Sequence, residues 1–252
     1  MAKTADPLPR LMHECFIDLS LSILIGIGLL FVSVMSSASI NPTLQFQQDL
    51  QHKEYNPLAQ VILKEAYRRI GHPITPLNSQ NIGLENKDGI LIAPAGRHQN
   101  SDYIRIPIAI VNLKVFAYVH KDHANTRYEF GLLGNRIAIV QGMRIIQNNM
   151  MGMIALQKTS VNTSFQSIIR NQVDLALLPE FSALKRASKH LRKYIVALQP
   201  AVYEVPMYHY INRKNEHLAG SLIKSLKSMQ KQQLIVQVTK SYKAILAADA
   251  EA

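Results

Sequence analysis

Residues 133–142 read Leu-Gly-Asn-Arg-Ile-Ala-Ile-Val-Gln-Gly, a short apolar run that enters a glycine turn. Residues 172–179, Gln-Val-Asp-Leu-Ala-Leu-Leu-Pro, form a counterpart, and sequence that favours a helix follows each stretch. Short apolar runs bounded by turn residues are typical of buried strands. Two such units in succession give a βα-βα order, which predicts an α/β fold.

The sequence that follows these two units favours one more strand and a long helix. Residues 206–214, Pro-Met-Tyr-His-Tyr-Ile-Asn-Arg-Lys, favour a strand because they are rich in aromatic side chains. Apolar residues then recur at helical spacing at Leu218, Leu222, Leu226 and Met229. This spacing predicts an amphipathic helix with one buried face.

The clearest helix signals in the chain lie in residues 56–71. Asn56 can cap the helix, Pro57 suits its first turn, and Gly71 follows its end. Apolar residues recur every four positions, at Leu58, Ile62, Ala66 and Ile70. We therefore expect a helix that buries one face.

The remaining segments of the first half give weaker signals. Residues 39–55 are polar and rich in Gln, which predicts a loosely ordered lead-in with one weak strand or turn. Pro73 and Pro76 confine a strand within residues 72–77 to an edge or a loop. Apolar residues dominate two short stretches, 104–109 and 113–119.

This order of elements resembles solute-binding protein family 3, the type 2 periplasmic binding proteins. Residues 61–71, Val-Ile-Leu-Lys-Glu-Ala-Tyr-Arg-Arg-Ile-Gly, are similar to a helix that packs on the sheet of the family's first lobe. The resemblance covers residues 56–232. It implies an α/β, two-lobe fold with a hinge, in which the second lobe is inserted in the first.

The resemblance also implies a division of the chain. Residues 1–38 are expected to be a signal peptide, residues 39–112 and 206–252 the first lobe, and residues 113–205 the second. The chain would cross between the lobes at residues 113–119 and return at residues 204–211. Two short connecting strands of this kind allow the lobes to rotate about a hinge.

The N-terminal sequence predicts export to the periplasm. Lys3 and Arg10 precede a charge-free run at residues 19–34, and small residues at Ser36 and Ala38 suit a peptidase that cuts after Ala38. The alternative is a permanent membrane anchor, because 16 residues fall just below the ~17–25 that span a bilayer as a helix.

Cleavage would leave a basic chain without a thiol. Cys15, the only cysteine, precedes the apolar run, so residues 39–252 exclude disulfides, thiolate catalysis and cysteine metal sites. Losing residues 1–38 removes two cations and three acids, which leaves 26 Lys and Arg against 14 Asp and Glu, a formal charge of +12. This balance either favours anionic partners or gives a solvated basic surface. We expect no nucleic-acid partner, because the cations are scattered and no nucleic-acid-binding signature is present.

The Gly142 turn is the strongest candidate for ligand contact. A glycine directly after a strand lets the N–H groups of the next helix approach an anion. Gln141, Gly142 and Met143 form this turn, and Arg144 adds a cation. The resemblance implies that the turn receives part of the ligand. From the residues alone, a glycine that only forms the turn is equally well supported.

Three further candidates come from the resemblance. Amino-acid binders of this superfamily pair an acidic residue behind the second strand with the ligand ammonium, which points to Glu180 and leaves Asp174 a structural role. Glu180 alternatively stabilises a helix dipole. Arg97 follows a first-lobe strand, where such proteins place a carboxylate-binding Arg. Tyr208 lies on the return strand, where alternation separates Tyr208 and Tyr210 from His209.

The sequence favours a binding protein over an enzyme. His120 and His123 are spaced by three, but no HExxH motif, GxSxG elbow or phosphate loop accompanies them. We expect no cofactor and no metal. The resemblance implies a monomer that captures a small polar or anionic, amino-acid-like solute for an ABC permease or a membrane sensor. The alternatives are a ligand-free envelope protein-interaction module and a basic envelope protein that binds anionic polymer or lipid.

Overall fold

Nine strands and seven α-helices occur in the part of the chain that the structure, a computed structural model, describes: residues 43–48, 53–76, 87–96, 102–124, 132, 134–150 and 155–251. In chain order they are β1 (Leu44–Gln47), α1 (Asn56–Arg68), β2 (Ile74–Pro76), β3 (Gly89–Pro94), β4 (Tyr103–His120), β5 (Ile137–Val140), α2 (Arg144–Asn149), β6 (Ala155–Lys158), α3 (Val161–Ile169), β7 (Leu175–Pro179), α4 (Glu180–Arg186), α5 (Lys189–Arg192), β8 (Ile195–Ala197), β9 (Tyr203–Asn212), α6 (Ala219–Lys231) and α7 (Leu234–Glu251).

Two predictions fall outside these residues. They are the signal peptide at residues 1–38 and the ligand-binding role of Arg97. Among the described residues, no helix has both the length and the apolar character that crossing a bilayer requires. The described residues all belong to one compact unit, and the lobe boundaries stay a prediction.

The strands form one mixed sheet with a parallel group at each end. Its order is β2-β1-β3-β9-β4-β7-β5-β6, and β8 pairs with β4. The strands β1, β2 and β3 are parallel to one another, as are β5, β6 and β7. The strands β9 and β4 lie between the two groups as antiparallel neighbours. The predicted edge position of residues 72–77 is confirmed, because β2 is an outer strand.

The strand β4 changes partners along its length. It pairs with β9 from Tyr103 to Val115, and from Val115 to His120 it pairs with β7 and β8. Both predicted crossings, residues 113–119 and 204–211, lie within β4 and β9. The two short stretches expected at 104–119 are one 18-residue strand. Register shifts next to Pro107, which has no N–H to donate, allow the strand to continue through this residue.

The helix α1 follows the predicted pattern and buries Leu58, Ile62, Leu63 and Ala66. Its N-cap residue is Tyr55 rather than Asn56, and no side chain caps it. The lead-in before this helix contains the one strand that the sequence predicted there. Its strand β1 buries Phe46 completely between β2 and β3, because alternating Leu44 and Phe46 face the core while Gln45 faces solvent.

The second half of the chain contains the two predicted βα units. Ser160 caps α3 in a capping box with Thr163. Asp174 has the expected structural role: its carboxylate lies 2.7 Å from Nη2 of Arg136 and accepts the Arg136 backbone N–H at 2.6 Å. Hydrogen bonds from the Arg136 side chain hold the pKa of Asp174 below its usual value. This pair joins the amino ends of β5 and β7.

The helix α6 buries Leu222, Leu226 and Met229, as the spacing predicts. The long helix α7 was not predicted. It follows α6 through Gln233, which adopts a left-handed conformation with φ 57°. A glycine or asparagine normally marks such a turn, so the sequence gives no signal that one helix ends and another begins.

Candidate functional site

The parallel strands place the predicted binding turn and Glu180 at the same edge of the sheet. The strands β5 and β7 are adjacent and parallel, with Ile137 opposite Leu175 and Ile139 opposite Leu177. The Gly142 turn follows the carboxyl end of β5, and Glu180 follows that of β7. Ligands of open α/β sheets bind outside the carboxyl ends of their strands. This edge is therefore the candidate site.

Three backbone N–H groups at the Gly142 turn have acceptors within the chain. Gly142 has φ 84°, a conformation that favours glycine. The N–H of Gln141 donates to the Lys158 carbonyl at 2.8 Å, that of Met143 to Val140 at 3.3 Å, and that of Arg144 to Gly142 at 2.9 Å. The predicted contact of backbone N–H groups with an anion stays a prediction, and these three groups would have to give up their present acceptors to make it.

The four residues of the turn differ in what they offer a ligand. Gln141, Gly142 and Arg144 are exposed. The Met143 side chain is only 3% exposed and packs in the hydrophobic core. Met143 is therefore a core residue, and the guanidinium of Arg144 is the charged group that the turn presents.

The carboxylate of Glu180 already has a partner within the chain. Glu180 is the first residue of α4, its side chain is 15% exposed, and it forms an ion pair with Lys243 of α7. A solute ammonium would have to replace Lys243 or share this carboxylate. The sequence could not show this pairing, because Lys243 lies on the helix that was not predicted.

Tyr208 lies in another part of the sheet. It is half-buried on β9 between Ala93 of β3 and Ala109 of β4, and the Arg105 guanidinium carbon is 4.9 Å from its ring centroid. Tyr208 and Tyr210 share a small cluster with Ala93, while His209 is buried on the opposite face against Phe46 and Tyr67. The predicted alternation is confirmed. The Tyr208 ring belongs to the first predicted lobe, and the Gly142 turn belongs to the second.

The amino ends of α1 and α4 meet directly, a contact that the sequence did not reveal. Tyr55, at the start of α1, stacks on Phe181 of α4 with ring centroids 4.6 Å apart. Tyr242 of α7 packs on the edge of Phe181 at 5.3 Å. Because α1 and α4 follow the carboxyl ends of β1 and β7, the carboxyl edges of the two parallel groups face each other here.

A buried charge reinforces this contact. Glu54 is 1% exposed and forms an ion pair with Arg186 at the end of α4. The Ser182 hydroxyl donates to the same carboxylate at 3.3 Å, and the Tyr242 hydroxyl donates to the Glu54 carbonyl at 2.7 Å. We call Glu54, Tyr55, Phe181, Arg186 and Tyr242 the α1–α4 junction. It joins residues from the first and second predicted lobes.

The structure resembles solved proteins of low sequence identity. The probable amino-acid ABC transporter extracellular-binding protein ytmK from Bacillus subtilis superposes with a TM-score of 0.60 at 11% identity, over 80% of this chain and 97% of that one. The fold is that of the two-lobe periplasmic binding proteins. This confirms the fold that the sequence resemblance implied.

Two further structures show the range of this fold. A histidine kinase sensor domain with similarity to periplasmic binding proteins has a TM-score of 0.54 and 9% identity, over 81% of this chain and 96% of that one. AncCDT-1, an ancestral amino-acid-binding protein and a precursor of cyclohexadienyl dehydratase, has a TM-score of 0.54 and 14% identity, over 79% of this chain and 94% of that one. No protein-family model and no curated protein matches the chain in sequence.

The described residues hold no group of three or more His, Cys, Asp and Glu that could bind a metal ion. His120 and His123 lie near each other, with ring centroids 6.3 Å apart. The His120 Nδ1 atom is 3.3 Å from the carboxylate of Asp122 and its ring stacks on Tyr194. His120 therefore packs against an aromatic ring, and the Asp122 side chain beside it is 70% exposed.

Proposed function

We propose that this chain is an exported binding protein that captures a small polar, amino-acid-like solute between its two lobes. The observation that carries the proposal is the meeting of the carboxyl edges: the Gly142 turn and Glu180 lie at one edge, and Tyr55 approaches from the other. Binding at the carboxyl ends of parallel strands is the rule for such sheets. An ABC permease or a membrane sensor would receive the bound solute.

Arg144 and Glu180 are the groups proposed to bind the two charges of the solute. Arg144 is exposed on the turn, where its guanidinium suits a carboxylate. Glu180 would take an ammonium group in exchange for Lys243. Gln141 adds an exposed amide on the same turn. Tyr208 and Arg97 stay predictions for the side of the first lobe.

A thermal-shift screen of amino acids and small polar acids, followed by calorimetry with the best solute, tests this proposal. We expect Arg144→Ala to weaken binding by ~1.5–3 kcal/mol, the range for a hydrogen bond to a charged group. Arg170→Ala is the matched control, because Arg170 is also exposed but lies at the carboxyl end of α3, away from the Gly142 turn in sequence. Equal affinity of both variants and the wild type would remove Arg144 from the site.

A second candidate function is a ligand-free module that binds a protein partner in the envelope. One observation favours it: the pairs Glu54–Arg186 and Glu180–Lys243 occupy the region of the facing edges with the chain's own charges. Crosslinking in the native envelope distinguishes the two candidates. Recovery of a protein partner, together with no stabilisation by any solute in the screen, would favour the module.

We infer that the chain binds its solute without chemical conversion. The likeness to AncCDT-1, a precursor of a dehydratase, makes this worth testing. After incubation with the best solute, NMR should show an unchanged spectrum of the solute, and new resonances would establish an enzyme.

Export with cleavage after Ala38 is part of the same proposal, and the intact mass of the protein from the envelope distinguishes a cleaved chain from an anchored one.

A further inference from the structure

A cavity of about 290 Å³ is lined mostly by residues of the second predicted lobe, together with Lys243 of α7 from the first. Its walls come from β4, β8 and the helices α3 and α4, and Lys243 of α7 is at its rim. The turn at residues 141–144 and Tyr208 do not line it. It is therefore distinct from the site proposed above, with which it shares the Glu180–Lys243 ion pair. Its volume is near the lower end of the range for small-molecule pockets.

Three aromatic rings form one wall of this cavity. Phe116 and Tyr118 are two residues apart on β4 and so point to the same side of the sheet. Phe165 of α3 adds a third ring, 5.5 Å from that of Tyr118 between centroids and tilted by 45°. Burial, helped by the nearby Glu180 carboxylate, raises the pKa of Tyr118, so this wall stays uncharged. Aromatic rings attract a further aromatic ring in offset-stacked or edge-to-face arrangements.

The rest of the wall is aliphatic, from Ala183, Leu184, Ile195 and Ala197. These small and branched side chains complete the apolar part of the lining. An apolar body that enters the cavity gains the free energy of burying apolar surface. A polar solute without such a body would gain little from it.

Charged groups gather at the rim of the cavity. Arg192, Lys243 and Glu180 line it, together with the amide of Gln199. Nη1 of Arg192 donates to the Leu184 carbonyl at 3.1 Å, which fixes the guanidinium beside the cavity. Glu180 and Lys243 form an ion pair. These lining residues carry two cations and one carboxylate, and such a rim favours a ligand with one negative charge.

We propose that this cavity binds a small aromatic carboxylate, with its ring among Phe116, Tyr118 and Phe165 and its carboxylate beside Arg192. The proposal does not depend on the solute site between the lobes. A ligand with a phenyl ring, a short linker and one carboxylate matches both the volume and the distribution of apolar and charged lining.

The test is calorimetry of the full chain with 3-phenylpropionate, with propionate to remove the ring and 3-phenylpropylamine to reverse the charge. We expect a Kd of about 0.1–1 mM for 3-phenylpropionate, as the modest ligand efficiency of a small molecule implies, and no measurable heat from the other two. Failure of 3-phenylpropionate to bind at up to about 10 mM, well above that range, overturns the proposal. Equal binding of the amine overturns the assignment of charge.

Variants locate the binding. Arg192→Gln should weaken 3-phenylpropionate binding about 10-fold or more, as loss of a charge-assisted hydrogen bond implies, while Lys193→Gln, outside the cavity, leaves it unchanged. Ala197→Leu fills the cavity and should abolish binding. Ala201→Leu is its control, because Ala201 is also half-buried but does not line the cavity.

Loss of binding in both control variants, or retention in both cavity variants, would place the ligand elsewhere. Arg144→Ala separates the two sites of the chain. It should leave 3-phenylpropionate binding unchanged, and a parallel loss would assign the ligand to the carboxyl-edge site instead.

Discussion

His209 lies with no exposed surface between two hydrogen-bond partners of different kinds. Its Nδ1 atom is 3.0 Å from the Leu91 carbonyl oxygen, and its Nε2 atom is 2.9 Å from the Tyr67 hydroxyl. A carbonyl only accepts, so Nδ1 carries the proton and donates it, and Nε2 accepts from Tyr67. The neutral ring is thus fully satisfied. Burial lowers the pKa of His209 to about 4.

This environment predicts a loss of stability in mild acid. The unfolded chain binds a proton at His209 below about pH 6.5, whereas the folded chain binds one only below about pH 4. The free energy of unfolding is therefore not reduced by His209 above pH 6.5. As the pH drops from 6.5 towards 4, protonation of His209 in the unfolded chain lowers the free energy of unfolding by up to about 3 kcal/mol.

Urea unfolding of the wild type and His209→Gln at pH 7 and pH 4.5 measures this effect. Gln can donate to Leu91 and accept from Tyr67 but does not titrate. The wild type should lose more free energy of unfolding between the two pH values than the variant does. The same loss in both would show that His209 is not the titrating group.

Gly89 is required by the close approach of two strands. A Cβ atom at this position would overlap the Tyr210 carbonyl oxygen of β9. We expect Gly89→Ala to lower the free energy of unfolding by about 1–3 kcal/mol, the usual range for overpacking. The control is Gly220→Ala in α6, where a Cβ meets no neighbour and alanine favours the helix by roughly 0.5–1 kcal/mol. Equal effects in denaturant unfolding would contradict this account.

At the level of elements, the sequence predicted those whose signals are local. The helices α1 and α6 show apolar residues at helical spacing, and β5 and β7 are short apolar runs between turn residues. The order of the sheet depends on pairings between distant segments, and β1 is half polar in sequence. Its two apolar residues show their importance only when β2 and β3 enclose them.

The candidate site was predictable only in part, for the same reason. The glycine turn is a local signal and lies where it was expected. The burial of Met143 depends on what covers the turn. The partner of Glu180 depends on a helix that begins 54 residues later, at Leu234. Neither contact leaves a pattern near the residue itself.

The α1–α4 junction predicts a large effect of one charge removal. Arg186→Met leaves Glu54 buried without its cation, and breaking a buried ion pair in this way costs about 3–5 kcal/mol of the free energy of unfolding. Lys114→Met is the control, because the Lys114–Glu204 pair is almost half exposed and contributes about 1 kcal/mol or less. Denaturant unfolding that shows equal losses would mean that Glu54 is not isolated from solvent when Arg186 is removed.

At the scale of the whole molecule, β4 and β9 connect the two parallel groups of strands, and the α1–α4 junction brings their carboxyl edges together. We propose that these two strands act as a hinge, about which the groups can rotate while each stays intact. On this proposal a solute bound between the edges would favour the arrangement in which they meet, and only by its higher affinity for that arrangement. Solute binding and molecular shape would then be linked.

Small-angle X-ray scattering of the chain with and without the best solute from the thermal-shift screen tests the central claim most directly. We predict a smaller radius of gyration when the solute saturates the wild type, and a smaller decrease when the same concentration is added to Arg144→Ala, whose affinity is reduced. A scattering curve that stays the same, at a solute concentration where calorimetry shows saturation of the wild type, would contradict capture of the solute between the lobes.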